Sequence, residues 1–466
     1  IAGSGNNGGD GFAAAYYLKE RRLPVTVVSL VPLADLSDDI KIYADRASEA
    51  GTKIREACED NCLAELGRWL VRATMIVDCV FGTGVSRPLQ GQMRDVVERI
   101  NETDRVVLSV DIASGICADS GRVLGVAVRA DFTLPIATSK WGHWLNEGRD
   151  YSGKLLAAAD IGISDATIQK ALLESCRCEN GDQCFCVKST SVIHEGFLEQ
   201  AWPVRARLSH KGSYGHVWIF GGSVGLTGAP QLAGLGAYAA GAGLASIVCP
   251  DAVWPVIASA NLEVMAHPQS DANWQAADAL VIGSGWGKTQ GELLSTLFET
   301  DKPIVVDADA LNIVAACASL RQKLTERHDL TVITPHPGEA ARLLDISVEE
   351  VQGDRKKSII ALTTRYNCWV VLKGSETLIA SPQKDIYLNP FGSAQLAVAG
   401  SGDVLAGMIG AQLARRDEAV NPAVCIAAAV ALHGKAGEQG GWYLAGELAK
   451  VVSDMRQSIE HGGNRA

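Results

Sequence analysis

Asp403 ends the tetrapeptide Gly400-Ser401-Gly402-Asp403, which runs directly into an apolar segment that predicts a helix. The backbone amides of such a glycine loop, together with the helix N-terminus, can stabilise the charge of a transferring phosphoryl group. The carboxylate of Asp403 can take the proton of the hydroxyl that receives this group. The loop therefore predicts phosphoryl transfer to a hydroxyl, with Asp403 as the catalytic base.

Five further motifs precede this loop, and each follows a short apolar run that predicts a buried strand. They lie at residues 220–223 with 227–229, and at residues 283–287, 306–312, 334–339 and 373–377. Ligands of open α/β sheets bind outside the carboxyl ends of the strands, so we expect these motifs to face one site. The last motif can present backbone amides and the Thr377 hydroxyl to a nucleotide phosphate. Two plainer interpretations stay open, a helix cap for His336 and a solvated loop charge for Lys373.

A second group of motifs lies near the N-terminus. The glycine-rich residues 3–11 are interpreted as a loop between a strand and a helix, where backbone amides favour a phosphate. The Asn6-Asn7 pair and Asp10 add amide and carboxylate oxygens, which also suit a hard cation or ribose hydroxyls. A plain tight turn is the alternative.

Asp78 and Asp111 end two later predicted strands, and Ser114 follows the second. A lone aspartate at such a position is as often a helix cap as a ligand. Because the carboxyl ends of parallel strands meet at one edge of a sheet, these side chains are expected to converge with Asn7.

Two sets of strands are needed to position these motifs. Residues 1–163 alternate glycine turns and helical patterns with apolar runs at 24–30, 75–81 and 105–112, and a second alternation begins at residue 216. Such alternation predicts α/β domains with parallel sheets. We expect a first domain at residues 1–163, a linker at 164–195 and a second domain at 196–460. An Ala- and Gly-rich helix at residues 228–243 is expected to pack closely on a sheet or on another subunit.

At 466 residues, of which 47% are hydrophobic and 20% charged, the chain is long and apolar enough for two cores. Its net charge of -11 argues against nucleic acids and anionic membranes as partners, since they require clustered Lys and Arg. No apolar run reaches the roughly 20 residues that cross a bilayer, and no secretory signal opens the chain. We therefore expect a cytoplasmic protein with small-molecule partners. The first predicted strand is cut short at Ile1, which indicates that the sequence is incomplete at its N-terminus.

The twelve cysteines fall mainly into two groups. Five lie in apolar segments and are expected to be buried reduced thiols, namely Cys79, Cys249, Cys317, Cys368 and Cys425. Four form a cluster in the predicted linker, namely Cys176, Cys178, Cys184 and Cys186. Four thiolates can bind zinc, but the spacing within each pair is not the usual one, so plain reduced cysteines are the preferred interpretation.

In residues 6–11, 78–84 and 111–115 the sequence resembles the N-terminal epimerase domain of the bifunctional NAD(P)H-hydrate repair enzymes. In that family the domain interconverts the two epimers of hydrated NAD(P)H beside a potassium ion. The resemblance implies substrate contacts from Asn6, Asn7, Gly8, Gly9, Asp10, Gly82, Thr83, Gly84, Val85, Ser86, Arg87, Pro88 and Asp111. It also implies potassium ligands from Asn7, Asp78 and Ser114, with Asp111 as the acid/base residue.

The later motifs, in their order along the chain, resemble the ADP-dependent dehydratase domain of the same family. The resemblance implies a ribokinase-like second domain behind a Rossmann-like three-layer first domain, both of the α/β class. It implies contacts to hydrated NAD(P)H from Ala229, Gly285, His336 and Asp403, and nucleotide contacts from Lys373, Gly374, Ser375, Glu376, Thr377 and Gly402. The fused arrangement is typical of bacterial members, which use ADP.

The resulting hypothesis is an enzyme that repairs hydrated NADH and NADPH. The first domain epimerises the R and S hydrates beside potassium, and the second dehydrates the S hydrate with ADP and Mg²⁺, giving AMP and phosphate. A homo-oligomer is expected from the resemblance and from the Ala- and Gly-rich helix. Two alternatives stay open: a dehydratase whose first domain is an inactive binding module, and a ribokinase-like kinase that stops at a phosphorylated small molecule.

Overall fold

A computed structural model of the chain describes residues 1–57, 62–174, 187–415, 421–440 and 444–462. Within these ranges the chain divides into two compact units, Ile1–Ile168 and Gln169–Ala466. Each unit combines helices with a mainly parallel sheet, so the predicted α/β class is confirmed.

The first unit has six strands in two parallel groups, with orders β1-β2 and β3-β4-β5-β6. The strands are β1 (Thr26–Ser29), β2 (Lys53–Glu56), β3 (Met75–Asp78), β4 (Val106–Val110), β5 (Phe132–Leu134) and β6 (Lys154–Leu155). The helices are α1 (Asn6–Glu20), α2 (Asp38–Glu49), α3 (Cys62–Arg72), α4 (Gln92–Asn101) and α5 (Gly148–Tyr151), and α6 (Asp165–Glu174) crosses the unit boundary. The predicted apolar runs thus contain β1, β3 and β4.

Ala2 joins the two strand groups of the first unit. It forms parallel bridges with Ser29 on one side and Cys79 on the other. Its amide donates to the carbonyl of Val28 at 2.9 Å. The short extended backbone of residues 1–3 therefore lies between β1 and β3 and leads directly into α1.

The N-terminal glycine motif is mostly helical, where the sequence pattern indicated a loop. α1 begins at Asn6, so Asn6 to Asp10 form its first turns. A β-carbon at Gly8 would lie 2.0 Å from the carbonyl oxygen of Gly3. Glycine is needed there because α1 packs against the backbone that precedes it. A glycine-rich sequence is compatible both with such close packing and with a loop, so the pattern alone does not distinguish the two.

The second unit has one sheet of ten strands in the order β10-β9-β8-β11-β12-β13-β14-β15-β16-β7. The strands are β7 (Ser189–Val192), β8 (His216–Phe220), β9 (Leu244–Cys249), β10 (Met265–Pro268), β11 (Ala279–Ile282), β12 (Ile304–Val306), β13 (Thr331–Ile333), β14 (Trp369–Leu372), β15 (Leu378–Ala380) and β16 (Asp385–Leu388). Neighbouring strands pair in parallel from β10 to β14, and β15 pairs antiparallel with both of its neighbours.

Twelve helices in the described ranges follow α6 along the chain. They are α7 (Glu195–Ala201), α8 (Gly228–Ala239), α9 (Trp254–Ala260), α10 (Gly291–Leu297), α11 (Ala308–Ala316), α12 (Ala318–Glu326), α13 (Pro337–Leu344), α14 (Val348–Gly353), α15 (Arg355–Tyr366), α16 (Ser401–Leu413), α17 (Pro422–Glu438) and α18 (Ala445–Gly462). The central strands β11 to β14 are buried along their whole length, as expected for a parallel sheet covered on both faces.

Part of the predicted linker belongs to the second unit. β7 pairs in parallel with β16, and its Ser189 hydroxyl donates to Asp385 at 2.6 Å. The sequence Ser189-Thr190-Ser191-Val192 is polar because β7 is an edge strand with exposed side chains. A pattern search for apolar runs therefore passes over it.

The Ala- and Gly-rich helix α8 packs on α16. A β-carbon at Gly236 would lie 2.2 Å from the carbonyl oxygen of Val404, and one at Gly407 would lie 1.8 Å from that of Ala233. The small residues thus bring two backbones of the same unit together, where the sequence analysis expected a sheet or another subunit. This close contact fixes α8 against the first turns of α16, where Asp403 lies.

Most of the cysteines that the sequence predicts to be buried are buried in the structure. Cys79, Cys249, Cys368 and Cys425 are buried, whereas Cys317 is half-buried. The cluster of Cys176, Cys178, Cys184 and Cys186 lies outside the described residues. None of the helices in the described ranges combines the length and apolar character needed to cross a bilayer.

Candidate active sites

Lys373 is the central cation of the site in the second unit. It follows β14, and its Nζ lies 2.7 Å from Oδ1 of Asp307 and 4.0 Å from Oε2 of Glu339. Asp307 follows β12 and Glu339 lies in the first turn of α13, after β13, so three neighbouring strands bring these groups together. The Lys373 side chain is 18% exposed. Its interpretation as a solvated loop charge is therefore wrong.

The electrostatics of this cluster favour a protonated Lys373. Burial alone lowers the pKa of an ammonium, but the carboxylates of Asp307, Glu339 and Asp403 outweigh it and raise the pKa of Lys373. Burial in turn raises the pKa of Glu339, with a further contribution from the charge of Asp307. The cluster thus holds one permanent positive charge among several carboxylates.

Asp403 lies in the first turn of α16, directly after the left-handed Gly400 that caps the helix. Its pKa is raised to about 7, first by burial and then by the negative charge of Asp307. The positive charge of Lys373 keeps the pKa from rising further. A carboxylate with a pKa near neutrality is suited to take a proton from a hydroxyl at physiological pH.

His336 lies next to Glu339 at the start of α13. It caps the helix, since its Nδ1 accepts from the amide of Gly338 at 3.0 Å, as the plainer interpretation expected. Its Nε2 also lies 3.3 Å from Oε1 of Glu339. Burial lowers the pKa of His336, and so does the charge of Lys373, so the imidazole is neutral at physiological pH.

The loop at residues 373–377 is fixed from behind by Arg355. Its guanidinium donates to the carbonyls of Leu372, Lys373 and Glu376 at 3.0 to 3.2 Å. A β-carbon at Gly374 would lie 2.6 Å from Nη2 of Arg355. The Thr377 hydroxyl donates to the carbonyl of Gly374 at 3.2 Å. With its carbonyls bound on one side, the loop is held in one conformation beside the Lys373 ammonium.

Two further pairs of loop residues in this unit approach each other closely. A β-carbon at Gly285 would lie 3.0 Å from Cβ of Ala229, and one at Gly402 would lie 3.4 Å from Nζ of Lys373. Gly285 has a φ of 60° and its carbonyl accepts from Ser223 at 2.9 Å. The loops after β8 and β11 are thereby held together, and the loop before α16 approaches the Lys373 ammonium.

The raised pKa of Asp403 gives a testable pH dependence. A base must be deprotonated to work, so kcat/KM of the second unit should fall as the pH drops below about 7, where an ordinary aspartate would hold the rate until about pH 4. The profile is measured over roughly pH 5 to 9. A rate that stays constant down to about pH 5 would contradict the assignment.

In the first unit, Asp78 is a buried hydrogen-bond acceptor at the end of β3. Its carboxylate accepts from the hydroxyl of Ser109 at 2.8 Å, from the amide and hydroxyl of Ser114 at 3.0 and 2.6 Å, and from the amide of Val80 at 3.2 Å. It is not a helix cap. These contacts fix the loop at residues 111–115 against the end of β3.

Asn7 lies in the first turn of α1, beside the ends of β3 and β4. Its Nδ2 donates to the carbonyls of Phe81 and Val110 at 2.8 and 3.1 Å. Its Oδ1 is buried and has no hydrogen-bond partner among the described residues. An oxygen in this state is free to coordinate a cation.

Asp111 approaches Asn7 across Gly82. A β-carbon at Gly82 would lie 3.1 Å from Oδ2 of Asp111 and 3.3 Å from Cβ of Asn7. Asp10 is exposed, and its pKa is raised first by burial and then by the charge of Asp111. The structure therefore brings Asn7, Gly82 and Asp111 together, while the loop at residues 83–88 is largely exposed.

Both units of the chain match known protein families. Residues 217–450 match the family model described as NAD(P)H-hydrate dehydratase, and residues 1–142 match the model described as YjeF-related protein N-terminus. The bifunctional NAD(P)H-hydrate repair enzyme Nnr of Moorella thermoacetica is 34% identical over 98% of this chain and 85% of its own length. The chain belongs to the family of bifunctional NAD(P)H-hydrate repair enzymes.

Solved structures agree with this family for the second unit. The ADP/ATP-dependent NAD(P)H-hydrate dehydratase of Bacillus subtilis, co-crystallised with ATP and Mg²⁺, is 30% identical, covers 57% of this chain and 98% of its own, and has a TM-score of 0.51. A ribokinase-like superfamily protein of Enterococcus faecalis, 22% identical with a TM-score of 0.50 over 60% of this chain and 99% of its own, shows the same fold. The resemblance stated from the sequence is confirmed at the level of family and fold.

Four residues of these repair-enzyme sites were not among the predicted site residues. Asp307 and Glu339 pair with Lys373. Both belong to strand-end motifs of the sequence, but no role was predicted for them. Lys140 and His143 contact Asp111 and follow β5. A signal for the second pair existed, since polar residues after an apolar strand mark the carboxyl edge of the sheet.

Proposed function

We propose that the chain repairs hydrated NADH and NADPH in two reactions, one in each unit. The observation that carries the proposal for the second unit is the position of Asp403, with a pKa near 7, at the N-terminus of α16 beside the Lys373 ammonium. A base for the hydroxyl and a cation for the transferring phosphoryl group thus stand side by side. Family membership supports the same conclusion.

The proposed dehydration proceeds in two steps. Asp403 takes the hydroxyl proton of the S hydrate while the oxygen receives the terminal phosphoryl group of ADP, and AMP leaves. The carbon–oxygen bond of the phosphate ester then breaks, driven by the lone pair of the ring nitrogen, and inorganic phosphate leaves. A proton leaves the neighbouring carbon to restore the dihydronicotinamide. Lys373 would stabilise the charge on the transferring group, with Gly402 and residues 374–377 around the nucleotide.

ADP is the proposed phosphoryl donor, and Mg²⁺ would accompany it. No three His, Cys, Asp or Glu side chains in the described ranges gather closely enough to hold a metal by themselves. A magnesium ion that is bound mainly through the nucleotide phosphates and water agrees with such a site, because Mg²⁺ retains several waters and needs few protein ligands. Its chemistry would be to neutralise phosphate charge.

Product analysis tests this proposal against the kinase alternative. The purified chain is incubated with the S hydrate of NADH and ADP, and NADH, AMP and orthophosphate are quantified. The dehydratase proposal expects the three products in equal amounts. A kinase would give AMP and a stable phosphate ester without orthophosphate, which would overturn the proposal.

In the first unit the proposed reaction is epimerisation of the hydrates, with Asp111 as acid/base residue. The convergence of Asn7, Gly82 and Asp111, with the charge of Asp111 raising the pKa of Asp10, supports a substrate pocket there. Potassium is proposed to bind through Asn7, Asp78 and Ser114, and the unpartnered Oδ1 of Asn7 fits a ligand of a hard cation. The remaining substrate contacts of residues 6–10 and 83–88 stay predictions.

Potassium binding can be measured without activity. Adding K⁺ in place of tetramethylammonium at constant ionic strength should raise the Tm, because a ligand at about tenfold its Kd stabilises the folded state by about 1.4 kcal/mol. Asn7→Ala should abolish the increase, and Gln92→Ala, an exposed residue at the start of α4, should retain it. A wild-type Tm that is indifferent to K⁺ would contradict potassium binding, and an increase that persists in Asn7→Ala would remove Asn7 from the ligand set.

The domain limits and the oligomeric state also remain proposals. We propose an epimerase domain at residues 1–163 and a dehydratase domain at residues 196–460 extended by β7. A homo-oligomer is proposed from family membership alone, since the small residues of α8 are already used in the contact with α16.

A further inference from the structure

Lys140 and Asp111 form an ion pair at the carboxyl edge of the first unit's sheet. Asp111 follows β4 and Lys140 follows β5, and these two strands pair in parallel. The Lys140 ammonium contacts Oδ1 of Asp111 and donates to the carbonyl of Ile136 at 2.8 Å. The side chains are 18% and 13% exposed. The pair is therefore largely shielded from solvent but still accessible to a ligand.

His143 holds this pair in one arrangement. Its Nδ1 accepts from the amide of Lys140 at 2.9 Å, so its Nε2 carries the proton and donates to the carbonyl of Asp111 at 2.8 Å. Burial lowers the pKa of His143 to about 4, and the ring is neutral at physiological pH. Asp111 itself has a left-handed backbone with a φ of 69°, a strained conformation of the kind found at functional sites.

We propose that Lys140 is a second catalytic residue of the epimerase reaction and acts as the acid, with Asp111 as the base. The inference rests on the proposed epimerase function. In the hydrate, the hydroxyl oxygen and the ring nitrogen are bonded to the same carbon. A base and an acid in direct contact can reach two atoms that share one carbon, whereas they cannot serve opposite faces of the ring.

The step that this geometry supports is reversible ring opening. The Asp111 carboxylate takes the hydroxyl proton, the carbon–oxygen bond becomes a carbonyl, and the bond between that carbon and the ring nitrogen breaks. The nitrogen keeps the electron pair and takes a proton from the Lys140 ammonium. After rotation about the adjacent carbon–carbon bond, the nitrogen attacks the other face of the carbonyl and returns its proton to Lys140, while the oxygen takes its proton back from Asp111. No oxidant, reductant or water is consumed.

Lys140→Arg is the discriminating variant. Arginine keeps the positive charge and the ion pair with Asp111, but it does not give up a proton in this pH range. If Lys140 only positions Asp111, the variant should epimerise normally. If Lys140 donates the proton, epimerisation should fall about 10²–10⁴-fold, while dehydration of the S hydrate by the same chain is unchanged. Lys154→Arg, on exposed β6, is the matched control.

A second variant covers the case in which arginine displaces Asp111. Lys140→Ala should lose epimerisation and regain part of it with added primary alkylamines, to an extent that follows the pKa of the amine, as proton transfer requires. Epimerisation is followed on the full chain with pure R hydrate and dehydration with the S hydrate, both with K⁺, Mg²⁺ and ADP. An active wild type with a normally active Lys140→Arg would overturn this inference alone, and a wild type without epimerase activity would overturn the proposed function with it.

Discussion

Asp403→Asn should abolish NADH formation from the S hydrate and leave ADP binding unchanged. Asparagine keeps the shape of the side chain but cannot take a proton, and loss of a general base costs about 10²–10⁴-fold in rate. Two quantities are measured: kcat with the S hydrate as substrate, and the Kd for ADP by calorimetry. Asp454→Asn, on the exposed side of α18, should behave like the wild type in both.

The same variant should also be more stable than the wild type at alkaline pH. Burial raises the pKa of Asp403 to about 7 in the folded chain, so above that pH the folded state contains an unfavourable buried charge. For an acid with a raised folded pKa, the free energy of unfolding decreases as the pH rises from about 4 to 7. Asn removes this cost. A higher Tm at about pH 8 with no turnover would identify Asp403 as a group kept for function, and retained turnover would contradict its role.

Lys373→Met should lower both stability and activity. Removing the ammonium leaves Asp307 and Glu339 buried without a counter-ion, and breaking a buried pair in this way costs about 3–5 kcal/mol. It also removes a charge that lowers the pKa of Asp403, so any residual activity should require a higher pH. Chemical unfolding measures the free energy of unfolding. A pH profile of the residual rate shows whether the activity requires a higher pH.

A double variant separates the two roles of Lys373. Lys373→Met combined with Asp307→Asn removes both members of the closest pair, so part of the lost stability should return while activity does not. Lys450→Met on the exposed face of α18 is the control for loss of one lysine. Full activity in a stable double variant would contradict the proposed role of the Lys373 ammonium.

Much of the fold was predictable because its signals are local. The short apolar runs that precede the motifs at residues 283–287, 306–312, 334–339 and 373–377 correspond to β11, β12, β13 and β14, since strands buried on both faces are continuously apolar. β7 was not predicted because an exposed edge strand of Ser and Thr has no apolar pattern. The N-terminal glycines were interpreted as a loop. The structure shows that glycine is required in this helix by the backbone that packs against it, and such a contact cannot be recognised in the sequence.

The site was predictable in its members but not in its pairings. The strand-end motifs indicated that Asp403 and Lys373 face one edge of the sheet. The pairing of Lys373 with Asp307, 66 positions earlier in the chain, depends on strand order, which the motifs do not contain. The pairing of Asp111 with Lys140 depends in the same way on β4 lying beside β5.

Repair of hydrated NAD(P)H by both units of one chain can be tested with one absorbance measurement. An epimeric mixture of hydrated NADH is mixed with the purified chain, Mg²⁺ and K⁺, with ADP, with ATP or without nucleotide, and recovery of the NADH band is followed. Complete recovery is expected with ADP and none without nucleotide. Recovery that stops at one epimer would contradict the epimerase assignment, and no recovery with either nucleotide in folded protein would contradict the account as a whole.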